Sequence, residues 1–180
     1  MTTIAGLTPG VWKIDPTHTT AEFIVRHLMV TKVRGRFTDI TGAVTIAENP
    51  LESSVEVVIG TGSITTGDET RDNHLRTADF FEVEKYPVIT FKSTRVVGTG
   101  SDYTVTGDLT IHGVTRPVDL AVEFNGVATD PWGGTRAGFS ATTEINRRDY
   151  GVDISMPMDG GGVVVGDKIK IEIEAEIVKS

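Results

Sequence analysis

Cysteine is absent from the 180 residues. That absence excludes disulfides, thiolate zinc sites, thiol nucleophiles and covalent c-type haem, and it leaves the redox compartment open. Leucine and alanine, the strong helix formers, together number only 16. Basic residues are also in deficit, 17 Lys and Arg against 25 Asp and Glu, for a net charge of −8. Such a chain repels polyanions and lacks the basic face that phosphate neutralisation requires, so nucleic acid is excluded as a partner. No apolar run approaches the roughly 18 residues that span a bilayer, so no transmembrane segment is expected. The amino terminus, residues 1–10, carries no basic n-region, apolar h-region or small-residue cleavage site. The expectation is a chain without a signal peptide, located in the cytoplasm.

What is abundant is branching at Cβ: 63 residues are Val, Ile or Thr. These side chains are restricted at χ1 and fit a pleated surface, so the chain is all-β in class. Period-2 alternation supports this. Ile169, Ile171, Ile173, Ala175 and Ile177 alternate with Lys170, Glu172, Glu174 and Glu176. The same pattern runs through Val118 to Phe124, Tyr103 to Ile111, Val55 to Ile59 and, more weakly, Phe139 to Ile145. Further strands are expected at about 11–15, 20–26, 36–47 and 88–97, eight or nine in all. His112-Gly113 reads as a tight hairpin turn, Gly98–Asp102 and Asp130–Gly134 as longer connections, and Gly160-Gly161-Gly162 as a flexible link.

One stretch breaks the pattern. From Asp68 to Leu75 there is no alternation, Asp68 is a suitable N-cap and acidic residues follow it, which predicts a short helix. It leads into Ala78-Asp79-Phe80-Phe81, too apolar for a surface loop and expected to pack over the end of a barrel. A sheet of this size with one apolar face per strand must stack or close. With seven Phe, three Tyr and two Trp there are few large residues to fill an axis, which favours a closed barrel over a sandwich.

The chemistry-bearing residues are few. His18, His27, His74 and His112 show no metal-ligand spacing, so no metal site is expected. Asp15-Pro16-Thr17-His18 and Arg71-Asp72-Asn73-His74 each set an acid near an imidazole; the first reads as a turn in which Asp and Thr satisfy backbone donors. The glycine-rich pieces Gly60–Ser63 and Gly98–Ser101 lack the features of a nucleophile elbow or phosphate loop and read as turns. Cations in apolar surroundings stand out: Arg26-His27, Arg71 with His74, and Arg147-Arg148. They suit an anionic head group, or internal pairing with Glu22, Asp79 or Asp149.

Taken together, several motifs resemble the YceI-like, polyisoprenoid-binding family. They are Gly10-Val11-Trp12-Lys13-Ile14-Asp15-Pro16-Thr17-His18, Phe23-Ile24-Val25-Arg26-His27, Val33-Arg34-Gly35-Arg36-Phe37 and Arg71-Asp72-Asn73-His74-Leu75. To these add Asp79-Phe80-Phe81, Tyr86 to Phe91, Gly107 to Val118, Ile145 to Gly151 and Val165-Gly166-Asp167. The resemblance implies a single extended, lipocalin-like antiparallel β-barrel of about eight strands with a short helical lid, over residues 10–180 behind a 1–9 extension. It further implies an apolar tunnel for a polyisoprenoid chain, such as a prenyl diphosphate or a quinone tail, with no other cofactor, no metal and no catalytic group. Many members carry a secretion signal; none is visible here.

On that basis Phe23, Val25, Val57, Ile59, Phe80, Phe81, Phe91, Val105, Leu109, Val122, Phe139 and Ile145 are the candidate tunnel wall. Arg26, His27, Arg71, His74 and Arg147 are the candidate polar end. The expected function is non-enzymatic binding of an isoprenoid for storage, sequestration or transport. The competing reading is an acid–base enzyme, isomerase or hydrolase, using His27 or His74 with Asp72 or Asp79; a third is a barrel filled by its own side chains. Pairing of two copies as a homodimer stays open.

Overall fold

The computed structural model describes residues 4, 6–28, 30–152 and 165–180. In chain order the strands are β1 (Gly10–Ile14), β2 (Thr20–His27), β3 (Thr31–Phe37), β4 (Ile40–Ile46), β5 (Ser54–Gly60) and β6 (Ile64–Thr65). Helix α1 (Glu69–Leu75) follows, then β7 (Val88–Thr99), β8 (Asp102–Ile111), β9 (Val114–Thr129), β10 (Thr135–Asn146) and β11 (Lys168–Lys179). These segments form eight staves. β1 and β2 both lie along β11, Trp12 opposite Lys179 and Ile24 opposite Lys170, so they are one stave with a corner in it. β3 with β4 and β5 with β6 make two more broken staves, while β7 to β11 form an unbroken meander. The β1–β11 pairing closes the antiparallel barrel. Closure removes the unpaired edges that an open sheet of this length exposes.

Two expectations about the strands need correction. The stretch expected at 36–47 begins at Thr31 and is interrupted at Thr38-Asp39, whose backbone N–H groups both turn to the Ser63 hydroxyl (3.1 and 3.0 Å). Lys32, Arg34 and Arg36 fill the outward positions of β3 and glycine occupies an inward one, which hid the alternation. At Gly35 the Phe23 ring replaces a side chain: a Cβ there would lie 2.2 Å from Phe23 Cζ. Gly98–Asp102 is not a long connection either. β7 runs on to Thr99 and β8 resumes at Asp102, leaving a two-residue turn in which Gly100 takes φ 67°. The β8–β9 hairpin is as expected, with both His112 (φ 54°) and Gly113 (φ 75°) left-handed, the combination that matches strand twist.

Each end of the barrel is closed differently. At one end Leu7, Trp12, Ile46, Ala137 and Ile177 form a tight plug, and the Trp12 indole donates to the Thr8 carbonyl at 2.9 Å. At the other, α1 and the turns after it lie over the strand ends. Asp68 caps α1 by accepting from the Arg71 N–H (2.9 Å), and the buried Asp72 accepts from the Thr66 N–H (2.8 Å) and hydroxyl (2.6 Å). Tyr86, at the end of this lid, packs on the His112 ring with centroids 4.5 Å apart. No helix among the described residues is long and apolar enough to cross a membrane.

The corner between β1 and β2 is held by charge. Asp15 accepts from the Thr17 N–H (2.9 Å) and hydroxyl (2.7 Å), the turn read from the sequence, and also from His18 Nδ1 (2.9 Å). Arg136 of β10 completes it, donating to Asp15 (2.6 Å), Glu176 (2.9 Å) and Asp130 (2.8 Å). His18 is raised above its ordinary value of 6.5 by its hydrogen bond to Asp15 and by the Glu176 charge. Asp15 is held well below the carboxylate range, chiefly by His18, then by Thr17 and Arg136, against the opposing effect of burial. A raised imidazole contributes stability that is complete below the unfolded value and lost as pH rises through the folded one; the depressed Asp15 contribution is lost only as pH falls in acid. His18→Gln is therefore expected to lower the urea midpoint in mildly acidic buffer and to converge with wild type in alkaline buffer. A difference independent of pH would contradict the charge linkage.

Candidate ligand-binding cavity

Between the plug and the lid lies a cavity of about 310 Å³. It exists because the inward positions of the strands carry Val, Ile, Leu and Ala, which cover the sheet without meeting across the axis. On β9, Val118, Leu120 and Val122 point in, while Asp119, Ala121 and Glu123 are exposed. Six of the seven phenylalanines reach the lining and narrow it. Phe23 and Phe81 each pack on Phe37 with centroids 5.7 Å apart, tying the wall to the lid.

All twelve candidate wall residues, Phe23 through Ile145, lie in this lining. The sequence reading left out Leu75, Val118, Leu120, Ala141, Ile171 and Ile173, which line it too. The signal for most of them is in the sequence: Val118 and Leu120 share the alternating apolar face of β9 with the candidate Val122, and Ile171 and Ile173 lie on the alternating apolar face of β11.

The five candidate polar-end residues divide. Arg26, His27 and Arg147 converge on one short stretch: Gly166 N–H donates to the Arg26 carbonyl (2.9 Å), His27 bridges Val165, and Arg147 donates to the Val165 carbonyl (3.3 Å). Arg147 lines the cavity and is buried, and its guanidinium also donates to the carbonyls of Gly166 (3.1 Å) and Val152 (2.8 Å) and pairs with Asp167 (3.2 Å). Arg26 is exposed and His27 half-buried, outside the lining. Arg71 and His74 are on the exposed side of the lid, apart from the other three. Arg71 donates to the Thr66 hydroxyl (2.7 Å) and carbonyl (2.9 Å), and His74 bonds Asp79 at 2.8 Å. At the lid end Tyr150 is buried in the lining, and burial pushes its phenol above the ordinary value, keeping it protonated.

Among the described residues one group has the donors for a metal, Asp15, His18 and Glu176. The Arg136 guanidinium already donates to both of those carboxylates, so a cation is supplied by the protein itself.

The YceI-like domain matches this chain over residues 12–177, nearly its whole length. The chain belongs to the YceI-like family. Among relatives, the protein YceI of Escherichia coli is 44% identical over 144 residues, covering 78% of this chain and 75% of its own. A UPF0312 protein of Pseudomonas aeruginosa is 40% identical over 148 residues, 81% of this chain and 78% of that one. The crystal structure of the Campylobacter jejuni YceI protein superposes with a TM-score of 0.74 at 32% identity, covering 86% of this chain and 90% of that chain. BcnA of Burkholderia cenocepacia shares the fold at a TM-score of 0.79 and 20% identity, over 91% and 98% of the two chains. A polyisoprenoid-binding domain from Saccharophagus degradans does so at 0.73 and 17% identity, over 94% and 98%. The closed eight-stave barrel with one short helix is thus the family's fold.

Proposed function

We propose that this YceI-like barrel is a non-enzymatic binding protein that holds the hydrocarbon chain of a polyisoprenoid, for storage, sequestration or delivery. The observation that carries the reading is the cavity wall. Its polar members are few, and three of them are spoken for: the Glu22 carboxylate by Arg34 (3.4 Å), Thr19 by the Glu176 backbone, Arg147 by three carbonyls. Such a wall rewards any chain that leaves water, at roughly 0.8 kcal/mol per carbon, so about 4 kcal/mol gross for each five-carbon prenyl unit. Two or three units offset the cost of association, put at about 4 kcal/mol or more. That a neighbour of the same fold is described as polyisoprenoid-binding supports the reading.

The acid–base alternative has its pair in place but in the wrong location. His74 and Asp79 are hydrogen-bonded, yet each is about half exposed (43% and 56%) and neither lines the cavity, nor do His27 and Asp72. A filled barrel does not fit a 310 Å³ cavity.

The test is extraction with organic solvent and native mass spectrometry of gently purified protein, followed by titration with prenols of increasing length. The cavity is about twice the roughly 150 Å³ that admits benzene, which corresponds to two or three prenyl units. Affinity is expected to climb steeply to farnesol and then to flatten. Protein that is consistently empty and indifferent to every prenol and quinone would overturn the proposal.

A further inference from the structure

The barrel is not zipped along its whole height. β10 pairs with β9 from Thr135 opposite Thr129 up to Thr142 opposite Ala121, and the pairing stops there. Above that point β9 pairs only with β8, as far as Val114 opposite Ile111, and β10 only with β11, as far as Asn146 opposite Lys168. The two strands part near the lid end, and a second cavity of about 460 Å³ occupies the seam. It shares Val118, Thr143, Ile145 and Tyr150 with the lumen. The two spaces therefore have these four residues as a common wall, with the largely apolar lumen on one side and polar side chains on the other.

Those side chains are Arg116, Asp119, Glu144, Asn146 and Asp149. The Arg116 Nε donates across the seam to the Asp149 carbonyl at 2.8 Å, which fixes the guanidinium plane at the opening. Asn146 Oδ1 accepts from the Arg148 N–H (2.9 Å) and Asp119 from the Thr106 hydroxyl (2.6 Å), so both side chains are held in place. The Tyr150 phenol, protonated for the reason given above, stands where the two spaces meet. The vestibule offers hydrogen-bond donors, but one guanidinium faces three carboxylates, and the whole chain carries −8.

We infer that this seam is the head-group site of the bound isoprenoid, and that it selects a neutral oxygen-bearing head, a hydroxyl or a quinone carbonyl, over a diphosphate. The inference rests on the lumen holding the prenyl chain. With the chain in the lumen, the head emerges between β9 and β10 beside Arg116 and Tyr150, where donors meet its oxygens. A diphosphate at the same place meets the exposed carboxylates of Asp119, Glu144 and Asp149, and like charges at close range repel even where water reaches them.

Farnesol and farnesyl diphosphate share one chain and differ only in the head, so titrating the full-length protein with each isolates the site. Farnesol is expected to bind about tenfold or more tightly, with the gap shrinking in high salt, because the discrimination is electrostatic and screened. Asp119→Asn with Glu144→Gln is expected to strengthen farnesyl diphosphate binding more than farnesol binding, so that the gap between the two ligands narrows. Arg116→Met is expected to weaken farnesol, by the several-fold that a lost charge-assisted hydrogen bond costs. Thermal unfolding of each variant separates these effects from misfolding, and Glu144→Gln alone, at an exposed side chain, gives the same direction with least disturbance. Diphosphate binding equal to or tighter than farnesol, a gap insensitive to salt, or farnesol binding untouched by Arg116→Met would overturn the head-group assignment while the lumen reading stands. Failure of both ligands to bind would overturn the lumen reading and this inference with it.

Discussion

Ala141→Phe is expected to abolish isoprenoid binding, weakening it by about a hundredfold or more, in a barrel that remains folded and melts no lower than wild type. Ala141 is buried at mid-height on β10, opposite Val122 on one side and Ile173 on the other, and all three line the cavity. A phenyl ring there adds on the order of 100 Å³ of side chain to a space of 310 Å³. The ligand loses both the room and the contacts of the central wall. The protein loses nothing, because the ring replaces space that no side chain of the barrel uses, and filling such space commonly stabilises. The same substitution one strand away and one residue out of phase is the control. Ala121, on β9 beside Thr142, is exposed on the outer face, and Ala121→Phe should leave binding unchanged. Isothermal titration with farnesol and a melting curve decide the matter. Ligand affinity retained in Ala141→Phe would mean that the chain binds elsewhere.

The second large effect is on stability. Arg147→Met is expected to cost about 3–5 kcal/mol, a fall in melting temperature of roughly 10 °C for a chain of this size. The guanidinium is 5% exposed and holds the carbonyls of Val152, Val165 and Gly166 together with Asp167. It thus joins the end of β10 to the backbone leading into β11 and to the segment against β2. Methionine matches the bulk but leaves those carbonyls without a donor in a site with little water, and an unmade hydrogen bond there costs more than a made one contributes. Arg147→Lys, which keeps the charge and loses the planar fork, should fall between the two. Urea unfolding is the measurement, and a methionine variant as stable as wild type would show that the guanidinium is not a structural clamp.

Much of this architecture was legible in the residues. The alternation in Ile169 to Ile177 marks β11, Asp68 marks the start of α1, and Phe80-Phe81 marks the lid, because each depends on neighbours within a few positions. Other features were not. The β3 strand was hidden by its own cations and by Gly35, whose missing side chain is supplied by Phe23 from another strand. The partner of the Asp15-Pro16-Thr17-His18 turn, Arg136, is 121 residues away from Asp15 and carries no local sign of its role. Arg147 read as a candidate for the polar end or for pairing with Glu22, Asp79 or Asp149; its carbonyl partners are 5 to 19 residues further on and became partners only once the chain turned back.

The sequence by itself therefore determined the class of the fold and the chemistry of the interior. Period-2 patterning and β-branched side chains demand strands with one dry face, and the shortage of large residues leaves an axis that they cannot fill. Only the tertiary structure decided where the wall of that interior is left unpaired and which side chains stand there. The parting of β9 from β10 above Ala121, which sets Arg116 beside Tyr150 and among three carboxylates, is a matter of register between distant strands. Register is fixed by the closure of the whole barrel and by hydrogen bonds from the turn that follows β10, such as that of the Asp149 carbonyl with Arg116, none of which a local pattern of side chains encodes.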